Sequence, residues 1–353
     1  MNPRPLLALL ALTLSAAVPS RGATDDLAWP EITSTARPWA YWWWHGSAVD
    51  RDNLARELAR YRDAGYGGVH VIPIYGVKGY DDREIEYLSP RWMEMLAFTV
   101  AEARRLGLDA DMTLGTGWCF GGPNIPQELG NARVVSKTFP VKAGATFRYP
   151  LSEGPPTQAL MAFGPDEQKV DLLKLAKDKT AIEWKAEGGP WQVIAVSQRF
   201  SGQMVKRPAK GGEGPMLNPF SGAAVRHYLE RFTAAFAASD GPRPRAIYHD
   251  SYEYNNDWSP DLLAEFARRR GYRLEAYLPP FFAKDGDDLT ARVKADYRET
   301  ISDMMIEHFN PPWIGWAHDH GMIARDEAHG SPANLLDLYA AADVPETEFF
   351  SKD

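Results

Sequence analysis

The sequence lacks three features that would each have assigned it to a class of protein. Its 353 residues include one cysteine, Cys119, so an intrachain disulfide and a cysteine-based zinc site are both excluded. The longest apolar run, residues 6–18, is too short to span a bilayer. Basic residues are in deficit, with 39 Lys and Arg against 47 Asp and Glu, which argues against a nucleic-acid partner.

Aromatic residues, in contrast, are abundant. The chain has 12 Trp and 15 Tyr, and four aromatics are consecutive at Tyr41-Trp42-Trp43-Trp44. Large aromatics often fill an apolar core, but flat rings near loops also stack on sugar rings. The composition therefore leaves two interpretations open, an ordinary core and a carbohydrate-binding surface.

The N-terminus has the pattern of a secretory signal peptide. Arg4 supplies the positive end, residues 6–18 the apolar stretch, and Ala23 a small residue before the cleavage point. We predict that residues 1–23 are removed and that the mature chain is periplasmic or secreted. The alternative interpretation is a buried N-terminal helix.

Short strand-like runs alternate with amphipathic helical stretches, which is typical of repeated βα units. Six strands are predicted, over residues 38–46, 67–74, 108–114, 245–249, 322–326 and 341–344. The predicted fold class is therefore α/β, specifically a (β/α)8 TIM-type barrel. Such a barrel has eight strands, so we expect this one to be incomplete at the C-terminus and to belong to a longer protein.

The alternation of strand-like and helical segments is interrupted once, over residues 134–217. There, strand-like runs are separated by Pro-Gly and charged connections. The predicted organisation is a signal peptide (1–23), the first part of the barrel (24–133), a β-rich insertion (134–217) and the truncated continuation of the barrel (218–353). A long helix is expected over residues 290–309, before the fifth barrel strand.

Polar and aromatic residues recur where the predicted barrel strands end. The active site of a (β/α) barrel lies at the carboxyl ends of its strands, so these residues are candidates for contact with substrate. The candidate substrate-binding residues are Trp43, Trp44, His45, Trp118, Asp250 and His329.

Acidic residues follow the last three predicted strands. Hydrolysis of a glycoside needs one protonated carboxyl group and one carboxylate. Glu253 lies among Tyr252, Tyr254 and Trp258, whose rings would desolvate it and favour its protonated form. Glu346 and Glu348 are both candidates for the base, and the residues alone do not choose between them.

The spacing of the strands bears on the stereochemistry. Glu253 follows the fourth predicted strand and Glu348 the sixth, and neighbouring strands lie about 4.8 Å apart, so the two backbones start roughly 9–10 Å apart. Inverting glycosidases hold their carboxyl groups roughly 6.5–9.5 Å apart, and retaining ones about 5 Å. This spacing predicts inversion.

Four blocks of sequence, in order, resemble glycoside hydrolase family 106. They are RPWAYWWWHG (37–46), GTGWCFGGP (115–123), HDSYE (249–253) and ADVPETEF (342–349), and the VKRP loop (205–208) fits as well. The resemblance implies an inverting, calcium-dependent α-L-rhamnosidase that acts on plant-type oligo- or polysaccharides. It also implies that Glu253 is the general acid, Glu348 the general base, and Glu327 a ligand of Ca²⁺.

Two positions depart from the pattern of this family. Tyr252 stands where Trp is common, and Cys119 stands where Pro is common. Both departures concern the preferred sugar more than the type of reaction.

Two other functions are compatible with the sequence. One is a metal-dependent hydrolase, because His45, His70, His249 and His329 fall near predicted strand ends, although no zinc-binding motif is present. The other is a non-catalytic glycan-binding protein or an inactive fragment.

Overall fold

The computed structural model describes residues 29–151, 154–176 and 180–349, and the predicted signal peptide lies outside them. The strands are β1 (Trp39–His45), β2 (Gly68–Ile74), β3 (Asp109–Thr113), β4 (Ala132–Val141), β5 (Thr146–Pro150), β6 (Thr157–Phe163), β7 (Lys169–Asp171), β8 (Ala181–Lys185), β9 (Trp191–Phe200), β10 (Ala246–His249), β11 (Ile323–Glu327) and β12 (Val344–Glu346). The helices are α1 (Arg51–Asp63), α2 (Pro90–Arg105), α3 (Gly222–Ala237), α4 (Leu262–Arg270), α5 (Leu278–Phe282), α6 (Asp288–Met304), α7 (Asn310–Asp319) and α8 (Leu335–Ala341).

Six of these strands form one parallel sheet in the order β1-β2-β3-β10-β11-β12, which is also their order in the chain. Helical connections between neighbouring parallel strands produce this order. The predicted α/β class is confirmed, but a closed barrel is not, because β1 and β12 do not pair among the described residues. The sheet is nevertheless strongly curved, since Tyr41 of β1 donates a hydrogen bond to the Glu346 carboxylate of β12.

Helices α1 and α2 begin where the local sequence caps them. The Asp50 side chain accepts a hydrogen bond from the Asn53 backbone N–H at 2.8 Å, and Ser89 does the same for Trp92 at 3.3 Å. Their apolar faces, with Leu54 and Trp92 fully buried, pack on one face of the parallel sheet. No helix in the described ranges is both long and apolar enough to cross a membrane.

The chain between β3 and β10 forms a second, antiparallel sheet with the strand order β4-β9-β6-β7. Strands β5 and β8 form a separate pair. Successive residues of a strand point to opposite faces, and here each face has its own core. Met161 and Ile194 belong to the main core, whereas Leu160 and Val193 belong to a separate one with the β5–β8 pair. The sheet is therefore buried on both sides.

The structure corrects two predicted elements. The sixth strand, expected over 341–344, is Val344–Glu346, because Ala341 is still the last residue of α8. The helix expected over 290–309 runs from Asp288 to Met304, continues through a π-helical turn over Met305–Phe309, and leads into α7. The backbone N–H groups of the first turn of a helix make no intrahelical hydrogen bond, so proline is tolerated there. Helix α7 can therefore begin at Asn310-Pro311-Pro312.

Candidate active site

The two faces of β1 have different partners. Trp42 and Trp44 point towards the helices, where the Trp44 ring centroid lies 5.9 Å from that of Trp92 and the side chain is 1% exposed. Trp43 points the other way and is 44% exposed. Trp44 therefore cannot contact a sugar, and its assignment to substrate binding was wrong, because alternation along a strand places only one of two consecutive residues on the ligand side.

The concave face of the sheet carries a chain of charges. Arg245 Nε donates to Asp111 Oδ1 at 3.0 Å, and Arg325 Nη1 donates to Asp111 Oδ2 at 2.9 Å. Arg325 also bonds the Glu346 carboxylate through Nε at 3.1 Å, and Tyr41 donates to the same carboxylate. Since these groups already hold Glu346, it is a poorer candidate for the base than Glu348, whose side chain is exposed two residues later.

Glu327 occupies an unusual position at the end of β11. It is 3% exposed, and its Oε2 accepts a hydrogen bond from the Tyr248 hydroxyl at 2.8 Å. Its Oε1 is buried and has no hydrogen-bond partner among the described residues. Burial, together with the charges of Asp250 and Glu348, raises the pKa of Glu327 to about 7, although the Tyr248 hydrogen bond opposes this rise.

Asp250 completes this group of carboxyls at the end of β10. Burial raises its pKa, and the nearby charge of Glu348 adds to the rise, while the hydrogen bond from the Ser251 backbone N–H at 2.8 Å lowers it. Asp250, Glu327 and Glu348 thus influence one another electrostatically, although they follow three different strands. The register of β10, β11 and β12 places these three predicted residues at the same edge of the sheet.

Glu253 lies on the loop after β10, and three side chains hold it. Its backbone N–H bonds Cys119 Sγ at 3.4 Å, and its carbonyl accepts from Gln203 Nε2 at 2.6 Å. Its side chain is exposed and its carboxylate pairs with the Lys206 ammonium, so the expectation that aromatic rings desolvate Glu253 was wrong. Cys119 Sγ also donates to the Ser251 carbonyl at 3.2 Å, so this cysteine fixes the loop that carries Glu253.

The other predicted substrate-binding residues lie around the strand ends. The His45 ring is exposed, with its centroid 5.8 Å from that of Tyr75. Trp118 is partly buried, and its indole N–H is buried without a hydrogen-bond partner among the described residues. The His329 side chain is exposed, and its carbonyl accepts from the Tyr252 backbone N–H at 2.8 Å.

The histidines do not form a metal centre. His249 is buried on the helix side of the sheet, where its Nδ1 lies 2.9 Å from Asp326 Oδ1 and its Nε2 lies 3.1 Å from the Tyr254 hydroxyl. His70 is also buried, with Nε2 3.0 Å from Thr113 Oγ1. Across residues 29–151, 154–176 and 180–349, no three or more His, Cys, Asp or Glu side chains are arranged to hold a metal ion.

Several residues of this site were not identified from the sequence. Arg325, Asp111 and Tyr248 escaped notice because they lie within strands, where a polar residue is visible only if the buried face is known. The alternation of residues in β11 could have identified one of them, because Arg325 and Glu327 are two residues apart and share the face opposite to Asp326.

Carboxyl groups at the ends of successive parallel strands, bordered by exposed aromatic rings, are typical of carbohydrate-active α/β proteins. The comparison with protein families agrees with this class and narrows it. The family model described as alpha-L-rhamnosidase, glycoside hydrolase family 106, matches residues 31–165 and 158–353. The chain belongs to glycoside hydrolase family 106.

Individual relatives are more distant. The chain is 25% identical to a protein provisionally named beta-glucuronidase from Formosa agariphila, over 91% of this chain and 32% of that protein. Its structure is similar to that of a rhamnosidase from Novosphingobium sp. PP1Y, with a TM-score of 0.70 and 16% identity, over 88% of this chain and 48% of the other. The chain therefore spans about a third of the first relative and about half of the second, and this structural likeness shows the fold alone.

Proposed function

We propose that the chain is the catalytic portion of an inverting α-L-rhamnosidase that acts on plant-type oligo- or polysaccharides. The observation that carries the proposal is the placement of Asp250, Glu327 and Glu348 at the carboxyl ends of three neighbouring strands, in a member of this glycosidase family. Trp43, His45, Trp118 and His329 lie at or after the carboxyl ends of β1, β3 and β11 and would supply rings on which a sugar can stack or form hydrogen bonds.

In this proposal Glu253 is the general acid and Glu348 the general base. Glu348 is exposed, which suits a group that must reach a water molecule, and Arg325 anchors β12 through Glu346 just before it. The acids follow β10 and β12, with β11 between them, and this separation leaves room for the attacking water of an inverting mechanism. Glu253, released from its ion pair with Lys206 and protonated, would donate its proton to the leaving oxygen while Glu348 takes a proton from the water.

We also propose a Ca²⁺ ion at Glu327. Its buried, unpartnered Oε1 and the neighbouring Asp250 and Glu348 carboxyls supply the hard oxygen donors that calcium prefers, so the donor chemistry fits, although no three of these groups are already placed around one point. When bound, the ion would neutralise the carboxyls and orient sugar hydroxyls. Exhaustive chelation should remove most activity, and Ca²⁺ should restore it. Full activity after chelation would contradict this proposal.

Two further proposals concern the whole protein. The curvature that brings Tyr41 of β1 onto Glu346 of β12 supports a (β/α)8 barrel. The pattern of residues 1–23 supports export to the periplasm or the outside of the cell. N-terminal sequencing of exported material should then begin between about residues 19 and 26, and a retained Met1 would contradict export.

The function is tested by giving the purified chain two nitrophenyl glycosides, the α-L-rhamnoside and the β-D-glucuronide. The glucuronide represents a second candidate function, which is favoured by the name of the curated relative. We expect release of nitrophenol from the rhamnoside alone. Turnover of the glucuronide alone would replace the proposed activity, and binding without turnover of either would indicate a glycan-binding protein.

A further inference from the structure

We propose that Arg207 binds an anionic group, a carboxylate or a sulfate ester, on the sugar from which the terminal residue is cleaved. This inference rests on the proposed function, because it names the substrate class of the same site. Its starting observation is that Arg207 is exposed and directly follows Lys206, which pairs with the candidate general acid.

The backbone of Arg207 is held firmly at the strand ends. Its carbonyl accepts a hydrogen bond from the Tyr75 N–H at 3.3 Å, and its neighbour Lys206 forms a β-bridge with Trp118. Gly117 packs against the same segment so closely that a Cβ there would lie 1.8 Å from the Lys206 carbonyl oxygen. Arg207 itself has a φ of 52°, a left-handed conformation that an arginine seldom adopts.

The side chain of Arg207 lies over two aromatic rings. Its Cζ is 5.7 Å from the Tyr75 ring centroid and 5.6 Å from that of Trp118. Among the described residues no carboxylate pairs with it, whereas Arg245 and Arg325 are both engaged by carboxylates. Contact with ring faces stabilises the charge and leaves the N–H groups free for a planar, bidentate partner.

The position of Arg207 indicates which sugar carries the charge. Lys206 pairs with Glu253, which in the proposed mechanism donates its proton to the leaving oxygen. Arg207 is the next residue in the chain and its backbone is fixed at the same strand ends, so we place it on the leaving-group side of the bond. Tyr75, which is 43% exposed, can contact the ring of that same sugar. The preferred substrate is thus a terminal neutral sugar attached to an acidic one, with a uronic acid the best match for a guanidinium.

The test compares three rhamnosyl disaccharides that differ only at the second sugar: glucose, glucuronate and sulfated glucose. The variants are Arg207→Gln, Arg207→Lys, and Arg51→Gln as a control, because Arg51 also lies over an aromatic ring, Phe98, but on α1. We expect Arg207→Gln to lower kcat/KM about tenfold to a hundredfold on an acidic substrate, through KM, and to change the neutral one by less than about twofold. Arg207→Lys should restore part of the loss, and Arg51→Gln should have no such effect.

Each outcome has one meaning. A preference for glucuronate identifies a uronic acid, and a preference for the sulfated sugar identifies a sulfate ester. Equal turnover of all three by the unaltered chain, or an equal loss on all three in Arg207→Gln, would overturn the inference. If no rhamnoside is hydrolysed, the proposed function has failed, and calorimetric titration with the glucuronate disaccharide then decides separately. If Arg207→Gln weakens this binding, the anion site is supported. If the variant binds as tightly as the unaltered chain, the anion site is refuted.

Discussion

Neighbouring residues on β10 and β11 belong to two different environments. His249 and Asp326 point to the helix side, where they bond each other at 2.9 Å and are completely buried. Tyr248 and Glu327 point to the concave side, where one Glu327 oxygen has no hydrogen-bond partner among the described residues and the pKa of the carboxyl is raised to about 7. Both pairs are polar and buried at strand ends, yet only one pair is satisfied.

The difference separates a structural polar network from a candidate active site. A buried polar group that has all its partners stabilises the fold, whereas an unsatisfied one is costly and persists where function requires it. In this protein the face of the sheet, rather than the type of residue, distinguishes the two. Substitutions on the two faces should therefore have opposite effects on stability and activity.

The largest expected effect is on activity at the concave side. Glu253→Gln should lower kcat about 10²- to 10⁴-fold on a rhamnosyl disaccharide, because general acid catalysis is lost, while binding is retained. The loss should be much smaller on nitrophenyl rhamnoside, whose leaving group needs little protonation. Steady-state kinetics on both substrates measure the difference.

Glu348→Gln is the matched variant for this comparison. The general base is needed whatever the leaving group, so both substrates should lose activity to a similar extent. If Glu253→Gln also lowered kcat equally on both substrates, Glu253 would not be the general acid.

The next largest effect is on stability, and it compares two adjacent residues. Asp326→Ala removes the partner of buried His249 and should lower the free energy of unfolding by about 3–5 kcal/mol. Glu327→Gln should not lower it at pH 8, because the substitution removes a buried charge whose Oε1 lacks a partner. Urea unfolding followed by tryptophan fluorescence measures both. A larger loss in Glu327→Gln than in Asp326→Ala would reverse the assignment of the two faces.

The smallest effect is the pH dependence of stability in the presence of a chelator. The pKa of Glu327 is raised from 4.5 to about 7 in the folded chain, so between these values the folded state holds a proton that the unfolded state has released. Stability should therefore fall as the pH rises from about 4.5 to 7, by up to about 3 kcal/mol. In Glu327→Gln the free energy of unfolding should depend less on pH over this range than it does in the unaltered chain. Urea unfolding of both proteins at several pH values measures the difference. An unchanged slope in the variant would contradict the raised pKa.

Much of the fold could be predicted from the sequence, because apolar runs marked five of the six parallel strands, whereas the run expected for the sixth overlaps β12 only at Val344. The sequence could not show which face of the sheet each polar residue occupies. His249 and Asp250, or Asp326 and Glu327, are adjacent polar residues, and only the position of the helices shows which of them is on the concave side. For the same reason Trp44 was mistaken for a sugar contact. Strands β5 and β8 were missed because they pair with each other across a long stretch of chain, which local pattern does not reveal. Strand β7 was also missed, and it is only 3 residues long.

The central claim is that Glu253 and Glu348 act on opposite sides of the scissile bond, with a water molecule between the sugar and the base. The most direct test is proton NMR of the first sugar released from an α-L-rhamnoside, recorded before mutarotation. We predict β-L-rhamnose as the first product, because the water attacks the face opposite to the leaving group. First-formed α-L-rhamnose would contradict the account and would make Glu348 a nucleophile.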